Sequence, residues 1–146
     1  MAAEESVGFL HGDIPYLKVG SGPPLVMVQG LTPEHDIASG WSHRMALSSA
    51  RPLAPHFTVY SVNRKRGLEP GASMAQIAGH LADAIERDLD QPVLLQGSST
   101  GGSVALQLAA DRPELVRGLV VVAAAGALPR VTGAGAAQMV GAAQRG

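Results

Sequence analysis

Gly97-Ser98-Ser99-Thr100-Gly101 sets a hydroxyl midway between two glycines. The spacing Gly-x-Ser-x-Gly has a physical cause where a serine acts as a nucleophile. The hydroxyl must project from a sharp strand-to-helix turn, so the serine backbone is strained. Side chains two residues before and after would collide with the turn and with the neighbouring strand. The context here fits, because the apolar run Val93-Leu94-Leu95 precedes the motif as a buried strand and Ser103 to Ala110 reads as a helix after it. A helix starting at such a turn aims its N-terminal N–H groups at the site, which favours developing negative charge. The implied chemistry is acyl transfer: Ser99 is the expected nucleophile, and Ser98 beside it an expected substrate contact.

Acyl transfer also needs two N–H donors for the oxyanion. One is expected from Thr100, the residue after the nucleophile. The other is expected from Leu31, because Gln29-Gly30-Leu31 follows the apolar run Leu25 to Val28 and Gly30 lets the backbone turn. Gly30 and His35, in the same loop, are expected to border the substrate. The proton acceptor has no such place. His11, His35, His43, His56 and His80 all precede Ser99, and the acids after Ser99 are Asp111 and Glu114, beside a helix end. The chain as it stands is therefore expected to be a weak or inactive enzyme, without the acid and histidine that complete a triad.

Other chemistries fit less well. A phosphate-binding loop needs Lys after its last glycine, and Ser103 follows Gly102. Gly133-Ala134-Gly135 opens a dinucleotide pattern that ends in Gln138 and follows no clear strand. A nucleotide-binding module is thus the weaker alternative. His35 and Asp36 are adjacent with no third group in register, so no metal site is read, and no cofactor is implied. The absence of cysteine excludes a thiol nucleophile, a disulfide framework and a thiolate metal site. A net charge of −1 and a single short basic run, Arg64-Lys65-Arg66, give no footprint for nucleic acid or an anionic membrane. The start of the chain is acidic, and no apolar run reaches the length of a membrane span, so a cytoplasmic protein is expected.

The elements that must position these groups follow from periodicity. Val7 to Leu10 and Ile14 to Val19 read as strands around a hairpin at Gly12-Asp13. Leu25 to Val28 suits a strand buried on both faces. A helix is expected over about Gly40 to Ala50, ended by Pro52 and Pro55, and a strand over Phe57 to Val62. Ser73 and Gln76 form a capping-box pair ahead of Ile77, Leu81, Ile85 and Leu89, which share a helix face. One more buried strand is expected within Val116 to Ala125. Strands alternate with helices from Leu25 onward, which gives an α/β fold with a mostly parallel sheet.

Taken together, these segments resemble the α/β-hydrolase superfamily, its serine-nucleophile branch. Gly20 to Gly30 is similar to the family's approach to the oxyanion loop, Val59 to Gly67 to its next strand and loop, Val93 to Gly102 to its nucleophile elbow, and Asp111 to Val120 to the link into the following strand. The resemblance implies a flanked, mostly parallel sheet, here truncated after about the sixth strand. Residues 1–128 would be a partial core domain, and the Gly/Ala-rich residues 129–146 the start of a missing lid region. It implies a small-molecule acyl substrate, hydrolysed at an ester or related bond in the full-length form. A serine at the elbow argues against the aspartate-nucleophile branches. Gln29 stands where the family often has His, and Asn63 where it commonly has Asp. Truncation would leave the strand Leu119 to Ala125 as an apolar sheet edge, open to self-association or to a partner, so a non-catalytic or partner-dependent half-domain is the competing expectation.

Overall fold

The computed structural model describes residues 3–30, 32 and 35–122. Strands β1 (Glu5–Leu10) and β2 (Ile14–Val19) lead into β3 (Pro24–Val28), α1 (Gly40–Ala50), β4 (Thr58–Val62), α2 (Met74–Ala84), β5 (Val93–Ser98), α3 (Thr100–Asp111) and β6 (Val116–Val122). The strands form one six-stranded sheet in the order β1-β2-β4-β3-β5-β6. β2 pairs antiparallel with β1 and β4, whereas β4, β3, β5 and β6 run parallel. This is the mostly parallel α/β sheet read from the sequence.

Local chemistry accounts for the elements. His11 and Gly12 both take positive φ, 49° and 79°, and the Asp13 N–H closes the turn on the Leu10 carbonyl at 3.1 Å. Two successive positive φ values match the right-handed twist of a hairpin. Ser73 caps α2: its side chain accepts from the Gln76 N–H at 3.2 Å, while the Gln76 side chain accepts from the Ser73 N–H at 2.8 Å. α2 runs on through a wide turn, Ile85–Leu89, and stops at Asp90, whose left-handed φ of 50° ends it.

Strand alternation divides the core. Val26 and Val28 of β3, Val62 of β4 and Leu95 of β5 face α2 and α3, where Leu81, Ile85, Val104 and Leu108 meet them. Leu25 and Val59 face α1, where Leu47 and Ala50 complete a smaller cluster with Leu17 and Val19. Buried alanines on α2 and α3 (Ala78, Ala82, Ala105) let those helices lie close to the strands.

One expectation changes. α3 begins at Thr100 and not at Ser103, because Gly102 and Ser103 N–H groups already bond to the Ser99 carbonyl. Two glycines in the first turn disguise it as loop. The sixth strand is, as expected, an edge among the described residues: it pairs only with β5, and Leu119, Val120 and Val122 are exposed. The boundary at 128 and the stretch 129–146, with its dinucleotide-like glycines, lie outside the described residues. Among the described residues, no helix is long and apolar enough to cross a membrane.

Candidate active site

The centre of the site is the bend between β5 and α3. Ser99 sits there at φ 53° and ψ −127°, a conformation that L residues rarely adopt. Neighbouring backbone holds it. Its N–H donates to the Val122 carbonyl of β6 at 2.9 Å, and its own carbonyl accepts from Gly102 at 3.0 Å and Ser103 at 3.3 Å. Strain of this kind costs on the order of 1–3 kcal/mol and persists only where the surroundings over-determine it. The flanking glycines are part of that determination. A Cβ on Gly97 would lie 2.4 Å from the Gly101 carbonyl oxygen, and one on Gly101 would lie 2.2 Å from the Val28 oxygen and 2.5 Å from the Gln29 oxygen. α3 thus packs backbone-to-backbone against β5 and against the end of β3.

Thr100 is the first residue of α3, so its N–H has no intrahelical partner. No backbone acceptor among the described residues engages it. Gly30 stands opposite: a Cβ built on it would lie 3.5 Å from the Ser99 Cβ and 3.5 Å from the Ser98 carbonyl oxygen. The reason for glycine at position 30 differs from the sequence expectation. Its φ is not in the left-handed region, and an added Cβ would make only ordinary contacts. What a larger side chain would do is cover Ser99. Leu31, the expected second donor, lies outside the described residues. Ser98 ends β5 and lines a cavity of about 510 Å³ with Met27, Gln29, Gly30, Trp41 and Gln96. His35 is half-buried in the loop before α1 and lines neither this cavity nor the smaller one bordered by Gln29, Thr32 and Asn63.

Sequence reasoning missed what braces the loop. Arg64 is the second residue after β4 and is buried, with 8% of its surface exposed. Its Nη1 donates to the Gly30 carbonyl at 2.9 Å and to the Gln29 carbonyl at 3.4 Å, and its Nη2 donates to the Thr100 hydroxyl at 2.9 Å. Burial pulls the Arg64 pKa below the usual arginine value. Asn63 accepts through Oδ1 from the Thr32 hydroxyl at 3.1 Å and from the Arg64 N–H at 2.7 Å. The Gln29 N–H donates to the Val62 carbonyl, and its side-chain amide to the Ser61 hydroxyl at 3.1 Å. The only signal in the sequence was the short run Arg64-Lys65-Arg66, and nothing in it marks which cation folds inward.

Several titratable groups sit away from the bend. Asp111 ends α3, a helix about 18 Å long at 1.5 Å per residue, and accepts from Gln107 there. Glu114 pairs with Arg112, which holds its carboxyl below the ordinary value. His43 contacts Glu5 at 2.7 Å. His80, on α2, has a buried Nδ1 with no partner among the described residues. Among the described residues, no histidine or carboxylate side chain makes a hydrogen bond to Ser99.

No protein-family profile matches the sequence. Individual proteins do. A pyrrolizixenacetamide deacetylase of Xenorhabdus hominickii is 31% identical over 113 residues, covering 76% of this chain and 41% of that protein. A pimeloyl-(acyl-carrier protein) methyl ester esterase of Yersinia pseudotuberculosis is 43% identical over 75 residues, 48% of this chain and 27% of the esterase. The chain spans less than half the length of these relatives. Among solved structures, a bacterial membrane phospholipase A superposes with a TM-score of 0.70 at 23% identity, over 90% of this chain and 43% of the other. A serine hydrolase of carbazole degradation gives 0.63 at 23%, over 97% and 56%. An alpha/beta hydrolase from Sphaerobacter thermophilus gives 0.57 at 28%, over 80% and 44%.

Proposed function

We propose that this chain, an α/β-hydrolase by fold, carries the nucleophile and the oxyanion site of a serine hydrolase that cleaves an ester or a related acyl bond of a small molecule. The observation that carries this reading is the bend at Ser99, held at positive φ between two glycines that a Cβ would not fit, with Gly30 facing it. In the reaction, the Ser99 Oγ attacks the carbonyl carbon and its proton passes to a base. The tetrahedral oxyanion accepts hydrogen bonds from the Thr100 and Leu31 N–H groups. The bond to the leaving alcohol or amine then breaks as that group takes the proton, and water later releases the acid from Ser99. Deacetylase and methyl ester esterase relatives support acyl chemistry as the class.

No histidine or carboxylate among the described residues bonds to Ser99, so the proposal assigns this chain slow turnover by itself. A chromogenic short-chain ester tests it. Weak hydrolysis that disappears in Ser99→Ala is expected, of the residual kind that an oxyanion site and binding leave without a full triad, about 10³–10⁴ over water. Ser99-dependent turnover at roughly 1–10³ per second would overturn the incompleteness. Hydrolysis unaffected by Ser99→Ala would overturn the nucleophile.

A second reading, a partner-dependent unit, rests on the exposed edge. Val120 is 59% exposed and Val122 50%, on the strand that ends the described sheet, and Trp41 is 70% exposed on α1. An apolar strand with one open edge invites pairing with a second copy. Size-exclusion chromatography over a concentration series is expected to show self-association. A monomer at every concentration would remove this reading.

A further inference from the structure

We infer that Arg64 is a positioning residue for the oxyanion site, its guanidinium fork tying the Gln29–Gly30 loop to the first residue of α3. The inference rests on the proposed hydrolase reading and deepens it. Burying a cation is costly unless its donors are matched. Among the described residues no carboxylate forms an ion pair with Arg64, yet its two terminal nitrogens are matched by three oxygens: the carbonyls of Gln29 and Gly30, and the Thr100 hydroxyl. Two of the three partners belong to the residues on which the oxyanion donors depend.

The geometry of a peptide unit makes that coincidence functional. A trans peptide is planar, and its C=O and the following N–H point in opposite directions. A cation held on the Gly30 oxygen therefore constrains the amide of the same peptide unit, the one the mechanism needs from residue 31. It also polarises that unit, which strengthens the N–H as a donor. The second arm, on the Thr100 hydroxyl, fixes the other donor's residue at the helix start. One planar fork serves both arms because its nitrogens are rigidly spaced, a geometry that a single ammonium does not reproduce.

The test uses the 146-residue chain and reads two things: amide hydrogen exchange in the 29–32 and 99–102 segments, and the rate at which a fluorophosphonate modifies Ser99, followed by intact mass. Arg64→Met is expected to raise exchange in both segments together, while the strands keep their protection, and to slow Ser99 modification by about tenfold or more, the scale of losing oxyanion alignment. Arg64→Lys is expected to fall short of wild type in both readouts, and free guanidinium to restore part of the rate in Arg64→Ala. Thr100→Val, which removes one arm only, keeps the question open to measurement if the Arg64 variants fold poorly; it is expected to raise exchange chiefly at 99–102. Exchange unchanged in Arg64→Met, or raised in one segment alone, overturns the tie. Full activity in Arg64→Lys overturns the need for the fork. If wild-type Ser99 takes no label, the nucleophile reading fails, and the exchange data still decide whether Arg64 joins the two segments.

Discussion

Gly101→Ala is expected to cost the fold about 3 kcal/mol or more, the upper range for overpacking a tight contact. The added carbon would lie 2.2 Å from the Val28 oxygen, 2.5 Å from the Gln29 oxygen and 2.8 Å from the Gln29 carbonyl carbon. All three are backbone atoms, so no rotamer change relieves the clash. α3 would have to lift from the end of β3, which would also pull Thr100 away from Gly30. Gly97→Ala carries the same sign, through 2.4 Å to the Gly101 oxygen. Gly79 supplies the control. It sits on the exposed face of α2 with no atom within 4 Å of an added Cβ, so alanine there is expected to stabilise by up to about 1 kcal/mol through helix propensity. Urea unfolding of the three variants checks the set. A Gly101→Ala midpoint close to that of Gly79→Ala would mean that α3 does not approach the sheet as closely as described.

Ser99→Gly is expected to stabilise the protein while removing its covalent chemistry. At φ 53° and ψ −127° the serine pays a steric cost that glycine does not. Against this stands the larger freedom of glycine in the unfolded chain, about 0.4–1 kcal/mol. The net gain expected is about 1 kcal/mol, a few degrees in Tm for a domain of this size. Ser99→Ala removes the same hydroxyl but keeps the strain, so it gains little. The comparison that matters is Gly against Ala at one position: glycine should be the more stable, the reverse of the usual order in regular structure. Both variants should be unreactive toward a fluorophosphonate. Alanine equal to or more stable than glycine would show that the bend stores no strain, and with it the main argument for a nucleophile at this position would go.

Much of the architecture was legible because local rules carried it. The α1 limits, the Ser73–Gln76 capping box and the β1–β2 turn each depend on residues within one or two turns of one another. The elbow was legible for the same reason: Gly97, Ser99 and Gly101 are a local steric statement. Where the reading failed, a non-local partner decided. The start of α3 hid behind two glycines whose purpose is contact with another strand.

The amino-acid sequence alone determined the strand-helix alternation and the serine placed between glycines, because periodicity and steric exclusion act over a few neighbouring residues. Only the tertiary structure decided that Gly30 faces Ser99 and that Arg64, of three consecutive basic residues, is the one buried. Both depend on β3, β4 and β5 lying side by side in an order unlike their order along the chain. Hydrogen bonds across 34 and 36 residues of sequence, such as those from Arg64 to Gly30 and to Thr100, exist only once that sheet has formed.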